Sequence, residues 1–181
     1  MGNRPRRVVA MGEAVLEDGL EFKGNKCSQN AKKDISHFEN VEIEIWFDKH
    51  YFVREQHGDE LGKRLGIEMN FVKDLVIKSI KHLCYYSLKV GNFSFLNFSD
   101  TGRFFRILLK DYYSDKLPLN VIAEFHFVSL GKYEVTIKTA MREEDFRVHD
   151  GQYIVEIFNE ETSTLSKSQM KVIKEICHFT N

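Results

Sequence analysis

The residues best suited to chemistry lie in the segment DKHYFVREQH, which runs from Asp48 to His57. If this segment is helical, His50, Arg54 and His57 stand at positions i, i+4 and i+7 and project from one face. A histidine moves protons near neutral pH, and an arginine binds a phosphate and the charge that develops on it. The pattern favours cleavage of a phosphodiester, and the alternative is a solvated face on a charged helix.

Length and composition predict one folded domain with an N-terminal extension. The chain has 181 residues, fifteen of them Phe, with only two Pro and no low-complexity tract. Residues 1–34 carry four of the eleven Gly and scattered charge, so we assign them to an arm or small subdomain, and residues 35–181 to a single domain. The formal net charge of −1 counts modestly against nucleic-acid binding by bulk electrostatics.

The cysteines and histidines indicate neither a disulfide framework nor a metal site. Cys27, Cys84 and Cys177 are odd in number and widely spaced, which is typical of reduced thiols in a cytoplasmic protein. Cys84 falls in an apolar helical pattern and is expected in the core. Because no HxxxH or HExxH motif occurs, we expect no metal and no cofactor. No apolar run is long enough to span a membrane, so no membrane partner is expected.

Periodicity predicts the order of the elements. Residues 41–47 alternate as a half-exposed strand, and Asp48 is placed to cap a helix that runs to about Leu61. Apolar residues at helical spacing predict a second helix over 72–83, which Gly91 ends. Strands are expected at 93–98, 104–110, 119–128, 133–141 and 152–158.

A final helix is expected over about 167–178, because Ser166 with Gln169 forms a capping box and Leu165 with Met170 a hydrophobic staple. The predicted fold class is α+β. N-terminal helices pack on a twisted antiparallel sheet of four to five strands, and a C-terminal helix closes the domain.

The strands NVIAEFHFV and YEVTIKTAM predict which face of the sheet is open. A connection of three or five residues brings their apolar sets together, with Phe125 beside Val135 and Gly131 supplying a positive φ. The polar residues then share the opposite face, which is a candidate floor for an anionic ligand. An ordinary solvated sheet face is the alternative. The expected floor comprises Glu124, His126, Glu134, Thr136 and Lys138, with Arg106 and Lys110 added if their strand aligns.

The order of these elements resembles the small RelE/YoeB-type ribonucleases, and within them the branch that contains the phage endoribonuclease RegB. The residues that carry the resemblance are His50, Arg54, Gly66, Ile67, Val72 and Leu75, with His82 at the end of the second helix. The resemblance covers residues 45–90 and extends to the sheet only by pattern. The segment EQHGDELGKRL is longer than the family's usual spacer, and His82 fits only with a shifted register.

The resemblance implies metal-independent cleavage of single-stranded RNA, in which the 2′-OH attacks the adjacent phosphorus and leaves a 2′,3′-cyclic phosphate. It also implies a toxin-like or phage-derived enzyme, with a protein partner or antitoxin. The chemistry requires a base, an acid and a charge stabiliser at one phosphate. The catalytic candidates are His50, Arg54, His82 and His126, and the substrate-binding candidates are Arg106, Thr136, Lys138 and His57.

His82 and His126 each have a second interpretation, and the polar face of the sheet has an alternative function. His82 follows Lys81 on a polar helical face, which is typical of a surface residue, and His126 stands between Phe125 and Phe127 as a half-buried imidazole would. The alternative function is a non-catalytic module that binds RNA or a protein through the same basic-aromatic face. Such a module needs cations and exposed aromatic rings but no pair of proton-transfer groups.

Overall fold

The computed structural model describes residues 32–38, 41–47, 51, 67–98, 104–112 and 117–181. Within these ranges, nine strands form one mixed sheet. The strands are β1 (Lys32–Phe38), β2 (Val41–Phe47), β3 (Leu96–Asn97), β4 (Ile107–Asp111), β5 (Leu119–Ser129), β6 (Lys132–Arg142), β7 (Tyr153–Ile157), β8 (Thr162–Gln169) and β9 (Val172–Thr180). The helix α1 (Met69–Lys89) packs against this sheet.

The strand order is β1-β2-β6-β5-β4-β7-β8-β9, and β3 pairs with β5 beyond the end of β4. Most neighbours are antiparallel, but β2 pairs with β6, β4 with β7 and β3 with β5 in parallel. This corrects the predicted fold class. In the described part of the chain a single helix lies on a nine-stranded mixed sheet, where several helices on four or five antiparallel strands were expected.

The predicted C-terminal helix is wrong, because residues 162–180 form the antiparallel hairpin β8–β9. Met170 and Lys171 take φ values of 51° and 64°, which close a tight turn at the place where the staple was expected to start a helix. The apolar side chain of Leu165 is buried against the rest of the core, whereas Met170 is 89% exposed. Val172 and Ile173 have high strand propensity. The short segment fits both a helical and a strand pattern, and pairing with β8 selects the strand.

The second predicted helix is present and longer than expected. Apolar side chains recur along one side of α1, and they are buried against the sheet: Val72, Leu75, Val76, Leu83 and Tyr86. Cys84 lies on the exposed side of α1, so its expected place in the core is wrong. The helix predicted from Asp48 to Leu61 lies outside the described residues except for Tyr51. No helix in the described ranges is long and apolar enough to cross a membrane.

The two faces of the sheet are different environments. The face that α1 covers, here called the helix face, carries the main core, which includes Ile45, Phe125 and Val135. The opposite face, here called the far face, carries a small apolar cluster of Leu108, Ile122 and Ile154. Phe146 and Val148 pack on this cluster from the segment that joins β6 to β7.

The predicted register of the hairpin β5–β6 is confirmed. Phe125 pairs with Val135 and Phe127 with Tyr133, so the apolar residues share the helix face. The strands are joined by only two residues, and a bulge between Phe127 and Ser129 restores the odd spacing that the apolar pattern requires. Gly131 supplies the positive φ, at 76°. A one-residue slip would have moved these apolar side chains to the far face.

Candidate functional site

The far face is much less accessible than the hairpin pattern suggested. Glu124, Glu134 and Thr136 are 2%, 3% and 1% exposed, so the expectation that they line an open floor is wrong. His126 and Lys138 are half-buried beside them. The register did place these polar residues together, as predicted, but the face is largely covered rather than solvated.

Glu124 is the centre of a charged cluster at the β3 end of this face. Its Oε1 accepts a hydrogen bond from Arg106 Nε at 2.9 Å, and its Oε2 lies 3.2 Å from Lys138 Nζ and 3.7 Å from His126 Nε2. Burial alone raises the pKa of Glu124, but the contacts with His126, Arg106 and Lys138 outweigh it and lower the pKa to about 2. The carboxylate is therefore ionised at neutral pH and holds three predicted site residues together.

Arg106 differs from the other cations of the cluster because 58% of its side chain is exposed. Glu124 holds only its Nε, and neither Nη atom hydrogen-bonds to a residue that the structure describes. The planar fork of a guanidinium matches two oxygens of a phosphate or carboxylate. Glu124 therefore fixes Arg106 through its Nε atom, and the two Nη atoms can bind an anion.

The lysines of the far face are neutralised by neighbouring carboxylates. The ion pairs are Lys33–Glu44 at 3.1 Å, Lys132–Glu42 at 2.9 Å, Lys132–Glu44 at 3.0 Å, Lys110–Glu156 at 3.6 Å and Lys138–Glu124 at 3.2 Å. Burial raises the pKa of Glu44, yet the bonds from Lys132 and Lys33 lower it overall. This face therefore presents no broad positive surface in the described ranges, and any anion site on it is local.

His82 occupies the helix face, not the far face. It is 1% exposed, and its Nδ1 lies 2.9 Å from Ser163 Oγ, which in turn lies 2.7 Å from Tyr86 OH. Phe179 packs edge-on against the imidazole at 4.8 Å between ring centroids. Burial, helped by the charge of Lys81, lowers the pKa of His82 to about 4. His82 is a neutral core histidine, and the sheet separates it from His126.

One side of the charged cluster contacts an aromatic ring, because Phe104 packs edge-on against His126 at 5.0 Å between centroids. Phe127 contacts Phe98 and Tyr133 on the helix face. Phe98 and Phe105 are 41% and 51% exposed. Phe105 and Arg106 line one cleft, which therefore combines an exposed aromatic ring with an anchored guanidinium.

The remaining predicted site residues, His50, Arg54 and His57, lie outside the described residues. Asn97 was not predicted, although it is 2% exposed and holds the backbone of Phe105. His149 and Gln152, which line a cleft beside Arg106, were also missed. An isolated Asn or His gives no local pattern, so the only available signal was a polar residue inside a short apolar stretch, as in FSFLNF.

In the described ranges, no three His, Cys, Asp or Glu side chains are close enough to hold a metal ion. Comparisons of the chain with protein families, with curated proteins and with solved structures find no match.

Proposed function

We propose that this protein is a non-catalytic module that binds single-stranded RNA at the Arg106 end of the far face. The observation that carries the proposal is the anchoring of Arg106. A buried carboxylate is costly unless it is paired, and here it fixes an exposed guanidinium at Nε, while the two Nη atoms make no hydrogen bond to the described residues. The exposed ring of Phe105, which lines the same cleft as Arg106, provides a stacking surface for an unpaired base.

The absence of catalysis in this proposal rests on the separation of two predicted catalytic residues. RNA cleavage by 2′-OH attack needs an acid and a base at one phosphate. His82 and His126 lie on opposite sides of the sheet, so they do not contact a common phosphate. The endoribonuclease hypothesis, and with it the resemblance to RelE/YoeB-type ribonucleases, stays a prediction that depends on His50, Arg54 and His57.

The test measures binding of a fluorescein-labelled single-stranded RNA to the full chain by fluorescence anisotropy in EDTA. We expect Arg106→Ala to weaken binding by at least about tenfold, because charge-assisted hydrogen bonds to phosphate contribute about 1.5–3 kcal/mol. Arg147→Ala is the matched control. It removes the same charge, and Arg147 is exposed in the segment that joins β6 to β7. Equal affinity of the parent and Arg106→Ala would refute the proposal.

The salt dependence adds a second, independent measurement. Because the lysines of the face are already paired, we expect only one phosphate to be neutralised, and the slope of log K against log salt should be near −0.7. A broad basic surface would give a slope several times steeper. After incubation the RNA should remain full length, whereas fragments ending in a 2′,3′-cyclic phosphate would show that the module is an endoribonuclease.

A further inference from the structure

A cleft of about 470 Å³ opens beside Arg106, between two segments that are distant in sequence. Phe104, Phe105 and Arg106 form one wall, and residues 149–153 form the other. A volume of this size lies within the range of small-molecule sites. The inference drawn from this cleft rests on the proposed RNA-binding function and specifies what part of the RNA enters it.

Buried polar side chains fix the first wall. Asn97 Oδ1 accepts a hydrogen bond from Phe105 N, and Asn97 Nδ2 donates to Phe105 O at 3.0 Å and to Phe125 O at 2.9 Å. Glu124 holds the guanidinium of the next residue, Arg106. Both Asn97 and Glu124 are 2% exposed. Two buried polar groups thus position a strand end whose own side chains are exposed, which is a means of preorganising a binding site.

Hydrogen bonds also fix the second wall. His149 N donates to Gln152 Oε1 at 3.2 Å, and Gln152 N donates to His149 O at 3.1 Å. Gly151 has a φ of 82°, which favours glycine, and its N–H donates to Ser168 O at 2.8 Å. Asp150 Oδ1 accepts a hydrogen bond from Met170 N at 2.6 Å. The turn is therefore tied both to itself and to the hairpin β8–β9.

The aromatic rings of the cleft are not equivalent. The ring of Tyr153 contacts Phe93 at 5.0 Å and has Lys167 Nζ 4.5 Å from its centroid, and Phe104 contacts His126. The ring of Phe105 is half exposed, and no aromatic ring or cation of the described residues packs on it. Phe105 is therefore the ring with an open face, and it directly precedes the arginine with an open fork.

From this geometry we infer that the cleft is a site for a single nucleotide unit, with its phosphate on the Nη atoms of Arg106 and its base stacked on Phe105. Phe105 and Arg106 both line the cleft, so a phosphate and a base that are joined through one sugar can reach both residues from within it. A cleft of about 470 Å³ has room for one such unit, so a free nucleoside monophosphate is the matching small ligand.

The test is competition between adenosine 5′-monophosphate and labelled RNA on the full chain, with adenosine and inorganic phosphate as separate competitors. We expect the monophosphate to displace the RNA at least about tenfold more effectively than either fragment, because only it uses both contacts. If the RNA binds but excess monophosphate does not displace it, the single-nucleotide site is wrong while the RNA-binding function stands. If the monophosphate binds and the RNA does not, the cleft is a nucleotide site and the proposed function is wrong.

Two phenylalanines provide matched variants for the stacking contact. Phe105→Ala should weaken binding of the monophosphate by about 5- to 150-fold, the range for loss of one base–aromatic stack. Phe158→Ala removes a ring of similar exposure at the opposite end of β4 and β7, where it stacks on Tyr112, and should leave binding unchanged. Equal effects of the two substitutions would overturn the assignment of the base to Phe105.

Discussion

Both faces of the sheet bury polar side chains, but they use them differently. On the helix face, Tyr86, Ser163 and His82 bond to one another, and none is more than 1% exposed. On the far face, the buried Glu124 bonds to Arg106, whose side chain is mostly exposed. The hydrogen bonds among Tyr86, Ser163 and His82 are all buried and join α1 to the sheet. The buried carboxylate of Glu124 instead positions Arg106 at the surface.

This difference separates a region that stabilises the fold from the region of the proposed binding site. A closed polar cluster satisfies its own hydrogen bonds and contributes to one specific packing of helix on sheet. The pair of Glu124 with Arg106 instead fixes a cation at the surface, where solvent screens part of the attraction between the two charges. We therefore associate the helix face with stability and the Arg106 end of the far face with binding.

The largest expected difference between the two regions is the cost of removing a phenylalanine ring. Phe125→Ala on the helix face should lower the free energy of unfolding by about 3–5 kcal/mol, since Phe125 is 2% exposed in the main core. Phe105→Ala should lower it by less than about 0.5 kcal/mol, because its ring is half exposed. Urea unfolding followed by circular dichroism measures both, and similar losses would contradict the division.

The closed cluster should make the protein sensitive to mild acid. The folded pKa of His82 is about 4, below the ordinary value of 6.5, so between these values the unfolded chain binds a proton that the folded chain does not. Stability should fall by about 3 kcal/mol as the pH drops from 6.5 to 4. Denaturation curves at several pH values would show this, and His82→Gln should flatten the change. An unchanged pH profile in His82→Gln would rule His82 out as its source.

The charged cluster should respond in a lower pH range. The folded pKa of Glu124 is about 2, below the ordinary value of 4.5, so its contribution is present above pH 4.5 and is lost as the pH falls through 2. At neutral pH, Glu124→Gln should cost about 1–3 kcal/mol and should also weaken RNA binding, because Arg106 loses its anchor. Loss of stability with full retention of RNA affinity would show that Glu124 does not position Arg106.

Among the buried polar residues, the smallest expected effect is that of Thr136→Val. The hairpin pattern placed Thr136 on an open floor as a candidate substrate-binding residue. Because Thr136 is 1% exposed, the substitution should cost about 1 kcal/mol in unfolding free energy and leave RNA affinity unchanged. Anisotropy and denaturation of the same preparation test both, and weakened binding would place the ligand deeper on the far face than Arg106.

Local patterns were sufficient where one period dominated. The alternation of apolar residues predicted the register of β5 and β6, and helical spacing predicted α1. The segment after Leu165 satisfies helix and strand templates equally, so its strand pairing with β8 depended on a partner that periodicity does not identify. The cleft was not predictable for the same reason, since Asn97, Arg106, Glu124 and Gln152 meet only after β3, β4, β5 and β7 have assembled.

The parallel pairing of β2 with β6 has a consequence for biosynthesis. Ile43 pairs with Tyr133, 90 positions later in the chain, so the apolar strand β2 leaves the ribosome long before its partner exists. At about 5–20 residues per second, the delay is roughly 5–20 s. During this time β2 presents a strand of alternating apolar residues without its final neighbour. We therefore expect nascent-chain binding by chaperones to be strongest while residues between β2 and β6 are being translated, and slow refolding of the full chain in vitro.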